Sequence, residues 1–116
     1  MVTKKTNTKV WWTYQTFKVA GVGDKYRLTI GGAKGSNGRD DKAFHNGMQF
    51  STYDQDNDKW GKHCAYHSKG GWWYKKCYHA NLNGLNKGGY LAWYDGSTLP
   101  ELSSVEIKIR AKKCFN

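Results

Sequence analysis

"FHNGMQFSTYDQDNDKWGKHCAYHSKGGWWYKKCYHANLNG", residues 44–84, holds three acids at alternating positions, two cysteines, a double glycine and an aromatic triplet, with almost no aliphatic residue among them. A stretch so poor in Leu, Ile and Val must draw its order from cross-links, a bound ion or a few large aromatics. Asp54, Asp56 and Asp58 first suggest the calcium loop of an EF-hand. That loop needs Gly at its sixth position and Glu at its twelfth, where this chain has Lys59 and Ala65, so the helix-loop-helix reading fails. Alternating carboxylates still suit a hard cation that takes oxygen ligands; the competing reading is a solvated acidic turn.

The rest of the chain narrows the frame. At 116 residues it is one domain by length, and its 38% hydrophobic content leans on six Trp, eight Tyr and four Phe. Cys64 and Cys77 stand 13 positions apart without a CxxC, and Cys114 stands alone near the end, so zinc spacing is absent. A Cys64–Cys77 disulfide is the better reading and points to an oxidising compartment. No run of apolar residues is long enough to span a membrane, and the first residues carry charge but no apolar leader core. A formal charge of +10 favours acidic partners, although solubility explains it equally. The basic residues are scattered, and no motif among them marks a nucleic-acid groove.

Alternation predicts three strands. Tyr26, Leu28 and Ile30 alternate with polar residues in YRLTI, as do Val105, Ile107 and Ile109 in VEIKIR (105–110). FKVA (17–20) is the third, joined to YRLTI by the turn-forming GVGD (21–24) as an antiparallel pair. Residues 1–10 are either poorly ordered or an edge strand, and DDKAFHNG (40–47) is a short helix ended by Gly47. Between residues 31 and 100 no helical period persists, and a compact domain seldom tolerates that much irregular chain without staples.

The stretch 44–84 resembles the core of the fibrinogen C-terminal-like (fibrinogen-related) domain, whose pattern runs HNGxxFSTxDxDND, then CA, GxWWY, C and NLNG. DKYRLTIGG (24–32) resembles the family's central strand and VEIKIR its closing strand. The resemblance covers only the family's C-terminal part: a cysteine-bearing N-terminal subdomain has no counterpart here. It implies an α+β fold, 1–116, with a small antiparallel sheet and a large loop-rich calcium and ligand region. It also implies a calcium site from the Asp56 and Asp58 carboxylates and the carbonyls of Trp60 and Lys62, with Asp54 outside the ligand set, and a Cys64–Cys77 disulfide.

Lectin members of that family, such as ficolins and tachylectins, hold an acetyl group in a pocket beside the calcium loop, next to a cis peptide preceding the second cysteine. Carried over, that bond is Lys76–Cys77, and the pocket draws on Tyr66, His67, Lys76, Cys77, Tyr78, His79 and Trp93. Three positions depart from the lectin pattern: Ser68 replaces an aromatic, Tyr78 replaces a His that is shifted to His79, and the usual Tyr near the last strand falls around Pro100. Tyr66 and His67 are the candidate replacements. Tyr90, Trp93 and Tyr94 either wall a groove or, for Trp93, plug a reduced core.

No GxSxG or HExxH occurs, and His45 belongs to the structural HNG element, so catalysis is not expected. The leading functional expectation is a secreted, calcium-dependent, lectin-like module that binds acetylated or acidic glycans. The alternatives are an extracellular structural or receptor-binding protein that presents the fold as a protein-interaction surface, and salt-sensitive polyanion binding. An unpaired Cys114 leaves room for a homo-oligomer.

Overall fold

The structure is a computed structural model that describes residues 1–4, 6–35, 41–93 and 101–111. Asp40, Tyr94, Pro100 and Cys114, all named above, lie outside the described residues. In chain order the elements are β1 (Val2–Thr3), β2 (Trp12–Val19), β3 (Leu28–Gly35), α1 (Cys64–Ser68), β4 (Ala80–Asn81), β5 (Ala92–Trp93) and β6 (Leu102–Ser104). The strands form three antiparallel pairs, β1–β6, β2–β3 and β4–β5. Residues 1–10 thus supply an edge strand at Val2–Thr3, one of the two readings of that segment.

The β2–β3 hairpin is the one expected from FKVA and YRLTI, with Phe17 opposite Ile30 and Val19 opposite Leu28. Leu28 and Ile30 are buried and Thr29 between them is exposed, as period-two alternation requires. Tyr26 breaks the pattern: its φ is 58°, a left-handed conformation outside the strand, and its ring is about half exposed. The reason is the connection before it. Val22–Asp24 forms a 3-10 turn, Lys25 is also left-handed, and Arg27 closes the bend by donating to both Asp24 carboxylate oxygens, at 2.9 and 3.1 Å.

The HNG element locks this hairpin to the loops. Asp41–His45 is a 3-10 turn rather than an α-helix, and Gly47, with φ 80°, follows it. The Asn46 side-chain oxygen accepts the Ile30 N–H at 2.9 Å, and Arg27 donates to the Gly47 carbonyl at 2.6 Å.

The core lies in the loop region. Cys64, Ala65, Trp72, Tyr74, Ala80, Leu82, Leu91, Trp93 and Leu102 form one buried cluster. Asn81, fully buried, serves as its polar hub: its amide donates to the carbonyls of Ser68 and Tyr90, each at 2.8 Å, and its oxygen accepts the Tyr74 hydroxyl at 3.1 Å. Buried polar groups paired this fully let irregular backbone sit at the centre of a fold.

VEIKIR corrects the reading of its sequence. Strand pairing ends at Ser104; residues 105–111 are irregular, with Ile107 49% and Ile109 74% exposed. Alternation reports a capacity for pairing, and no described strand lies beside this segment to use it.

Candidate functional site

The acidic loop is built from side-chain to backbone bonds. Asp54 accepts the Thr52 hydroxyl at 2.7 Å, which holds its carboxyl below the usual carboxylate range. Asn57 receives help in the other direction, donating its N–H to the Ser51 hydroxyl and its amide to the Phe50 carbonyl, both at 2.8 Å. Asp58 caps the turn leading into α1: one carboxylate oxygen accepts the Trp60 N–H at 2.8 Å and the other the Cys64 N–H at 2.9 Å. The second bond fastens the acidic loop to the start of α1, where His63 stands as N-cap with Nδ1 accepting from the Tyr66 N–H.

Asp56, Asp58 and His63 each offer a donor atom, and these atoms lie within 4.8 Å of one another. The Asp58 carboxyl sits above the usual carboxylate range, first because burial disfavours its charge and further because Asp56 lies beside it, against the lowering pull of the Cys64 and Trp60 N–H groups. The His63 ring is already committed at both nitrogens, Nδ1 to Tyr66 and Nε2, as the donor, to the Tyr53 carbonyl at 2.8 Å. The remaining donors are oxygens with unused lone pairs on two acids, a set that fits a hard divalent cation such as calcium better than zinc. Trp60 and Lys62, whose carbonyls were expected to complete it, come directly after this loop; the Lys62 ammonium lies 5.9 Å from the Trp60 ring.

Cys64 and Cys77 are bonded, with Cα atoms 5.5 Å apart. The Lys76–Cys77 peptide is cis. The residues named for the ligand pocket fall in different surroundings. Tyr66 and His67 are exposed on α1, His67 edge-on to Trp60 at 5.5 Å, and Lys76 is exposed. Tyr78 is half-buried beside Tyr74, and burial pushes its phenol up from the ordinary value. His79 stacks on Phe44 at 3.8 Å. Trp93 is 3% exposed and stacks on Trp12 at 6.4 Å, inside the core cluster.

An open cleft of about 290 Å³ lies elsewhere on the loop region, lined by Thr52, Tyr53, Ala65, Tyr66, Lys69, Gly70 and Gly71. Tyr53 and Tyr66 face each other at 5.7 Å, and the Lys69 ammonium rides over the Tyr66 ring at 5.3 Å. Gly70 is required at its base, because a β-carbon there would overlap the Asn83 carbonyl. Of this set only Tyr66 was singled out from sequence. Tyr53 and Lys69 lie in a loop and at a helix end, where no periodicity marks a side chain as facing a cleft.

Residues 2–113 match the family described as "Fibrinogen beta and gamma chains, C-terminal globular domain". The chain is similar to Ryncolin-4 of Cerberus rynchops, 44% identical over 85 residues, which covers 72% of this chain and 25% of that protein. It is also similar to the human fibrinogen gamma chain, 40% identical over 105 residues, covering 78% of this chain and 22% of that one. Among solved structures, the fibrinogen-like globe domain of human ANGPTL2 superposes with a TM-score of 0.69 at 37% identity, covering 89% of this chain and 49% of that domain. The lamprey fibrin D-dimer, complexed with the peptide ligand Gly-His-Arg-Pro-amide, superposes with a TM-score of 0.62 at 30% identity, covering 83% and 32%. The chain therefore spans about a quarter of the length of the curated relatives it matches. Those relatives are secreted, extracellular proteins, and among the described residues no helix is long and apolar enough to cross a membrane. The chain, with its short antiparallel pairs, its HNG-to-NLNG core and its Cys64–Cys77 bond, belongs to the fibrinogen C-terminal domain family, whose members are non-catalytic binding modules.

Proposed function

We propose that this chain is an extracellular recognition domain that binds a protein partner through the surface of Tyr53, Tyr66 and Lys69. The observation that carries the reading is that cleft: two exposed aromatic rings and an ammonium group, with Tyr66 on, and Lys69 at the end of, a short helix that a disulfide and the Asp58 cap keep in place, and Tyr53 facing them from the neighbouring loop. Aromatic and cationic side chains on a rigid frame supply contact area at little entropic cost. A structural relative that takes a short peptide adds support for a peptide or loop as ligand, and the +10 charge of this chain favours an acidic one. The test is a selection from a displayed peptide library against the wild-type domain, followed by titration of the enriched peptides. Acidic peptides that bind the wild type and lose at least about tenfold in affinity on Y66A and K69A support the reading. Peptides indifferent to both substitutions, or no enrichment at all, count against it.

A second reading, calcium-assisted recognition of acetylated or acidic glycans, draws on the convergence of Asp56 and Asp58. When bound there, calcium would neutralise the paired carboxylates, while Asp56, Asp58 and the carbonyls of Trp60 and Lys62 would hold it. Titrating N-acetylated and sialylated sugars with calcium and then with EDTA separates this reading from the first. Binding that ignores EDTA but is lost at about 0.5 M salt, where the Debye length is only a few Å, marks polyanion attraction instead.

A further inference from the structure

The two walls of the Tyr53–Tyr66 cleft come from different parts of the chain. Tyr66 rides on α1, whereas Tyr53 sits at the tip of a tight turn in which Thr52 and Gln55 exchange backbone bonds of 3.0 and 3.1 Å. That turn is closed on itself, so its own bonds do not set how far Tyr53 stands from α1. Asp58 ties the acidic loop to the Cys64 N–H, but at a point five positions beyond Tyr53. A loop fastened away from its tip leaves the tip free to move unless a further contact holds it.

One side chain spans the gap. His63, half-buried at the N-cap of α1, donates its Nε2–H to the Tyr53 carbonyl at 2.8 Å and accepts the Tyr66 N–H on Nδ1 at 3.4 Å. Both bonds need the same neutral tautomer, with the proton on Nε2, so neither competes with the other. The imidazole is a rigid ring, and its two bonds set the backbone of one wall against the backbone of the other. The tyrosine rings follow: they stand 5.7 Å apart at 36°, with the His63 ring 6.5 Å from that of Tyr66. The lining runs through Tyr53, Ala65 and Tyr66, and His63 stands behind it.

We infer that His63 is the positioning residue of this cleft: it straps Tyr53 to the start of α1 and so holds the two walls in the shape that accepts a ligand. Capping by itself would be served at least as well by Asn, Asp, Ser or Thr, the favoured N-cap residues. Those side chains are too short to reach the Tyr53 carbonyl while they cap, and an imidazole does both. Without the strap the turn samples open positions, and a ligand binds more weakly by the fraction of time that the walls are in place. The role in recognition rests on the cleft being the binding surface; the strap itself does not.

The test compares wild type, H63A and H63N in EDTA, so that no ion at Asp56 and Asp58 helps to hold the loop. In H63N the side-chain oxygen takes the place of Nδ1 and keeps the cap, but falls short of Tyr53. Two NMR readouts need no ligand: the Overhauser contact between the Tyr53 and Tyr66 rings, and the exchange protection of the His67 and Lys69 amides, which bond within α1 and its C-cap. The ring contact should be strong in wild type and weak in both variants, while the amide protection should stay near wild type in H63N and fall in H63A. Acidic peptides enriched on the wild type should bind H63N about tenfold more weakly. A ring contact that persists in H63N, or that is lost there only together with the amide protection, overturns the strap. Peptides that bind H63N as tightly as wild type overturn its role in recognition. A library that yields no binding peptide sinks the cleft reading instead, and the ring contact in H63N then still decides the strap.

Discussion

The carbonyl of Trp73 accepts the Nδ1–H of His45 at 2.9 Å, a bond across 28 positions of sequence, which fixes the tautomer of a side chain that is 0% exposed. The other ring nitrogen faces two donors, the N–H groups of His79 at 3.2 Å and Ala80 at 3.1 Å, and so must be the acceptor. One imidazole thus joins the HNG turn, the aromatic triplet and the strand that opens NLNG. Replacing it by alanine leaves two backbone donors and an acceptor unpaired in the interior. H45A should cost about 3 kcal/mol or more, and H45Q, which keeps a donor and an acceptor, less. Urea unfolding measures both; a loss below about 1 kcal/mol for H45A would show that the bonds are replaced by solvent.

The proposed calcium site has a thermal test. Asp58 has a raised proton affinity in the folded chain, so without calcium the folded state holds more protons than the unfolded one between the ordinary aspartate value near 4 and the raised value. In that window stability falls as pH rises, and an ion that takes the proton's place should reverse the trend. Millimolar calcium at neutral pH should stabilise by about 1 kcal/mol, or a few degrees of melting temperature, and EDTA should remove the gain. D56N removes the neighbouring charge and keeps an oxygen for the Asp58 N–H, so it should melt no lower than wild type in EDTA yet lose the calcium response. A D56N protein that still gains several degrees from calcium places the ion elsewhere.

Alkaline pH should probe Tyr74. Burial pushes its phenol far up, and its hydroxyl donates to the Gly70 carbonyl at 2.6 Å and to Asn81. The folded state therefore keeps this proton where the unfolded chain releases it, and the stability it contributes is present below about pH 10 and lost above. Y74F should destabilise at neutral pH by about 1–2 kcal/mol and flatten the loss of stability between about pH 10 and 11. Stopped-flow pH jumps on both proteins give the comparison; equal alkaline sensitivity would assign the effect to Tyr78, whose phenol burial also raises.

The disulfide closes a loop of 13 positions, and in the chain-entropy picture that restriction of the unfolded chain is worth about 3 kcal/mol. Because Cys64 also anchors α1 through Asp58, the C64A/C77A pair should unfold at lower denaturant and expose the Tyr66 face of the helix to protease first. Limited proteolysis that cuts wild type and variant at the same rate near residue 66 would show that the cap alone holds the helix.

Local and long-range determinants of this fold divide along one physical line. Local spacing specifies the Leu28–Ile30 strand, whose buried and exposed residues alternate with the pleat, and the HNG, DxDxD, CA, WWY and NLNG elements, because each demands particular residue types close together in the chain. It also marked the Cys64–Cys77 pair and the two acids that converge. What lies between those elements answers to long-range packing. Trp93 is in the core because Trp12 stacks on it from 81 positions away in the sequence, and Tyr53 meets Lys69 and Tyr66 because Asp58 pins the acidic loop to α1. VEIKIR shows the same limit from the other side: alternation is a property of the chain alone, but a strand exists only where another strand offers its N–H and C=O groups, and that is decided by the tertiary structure.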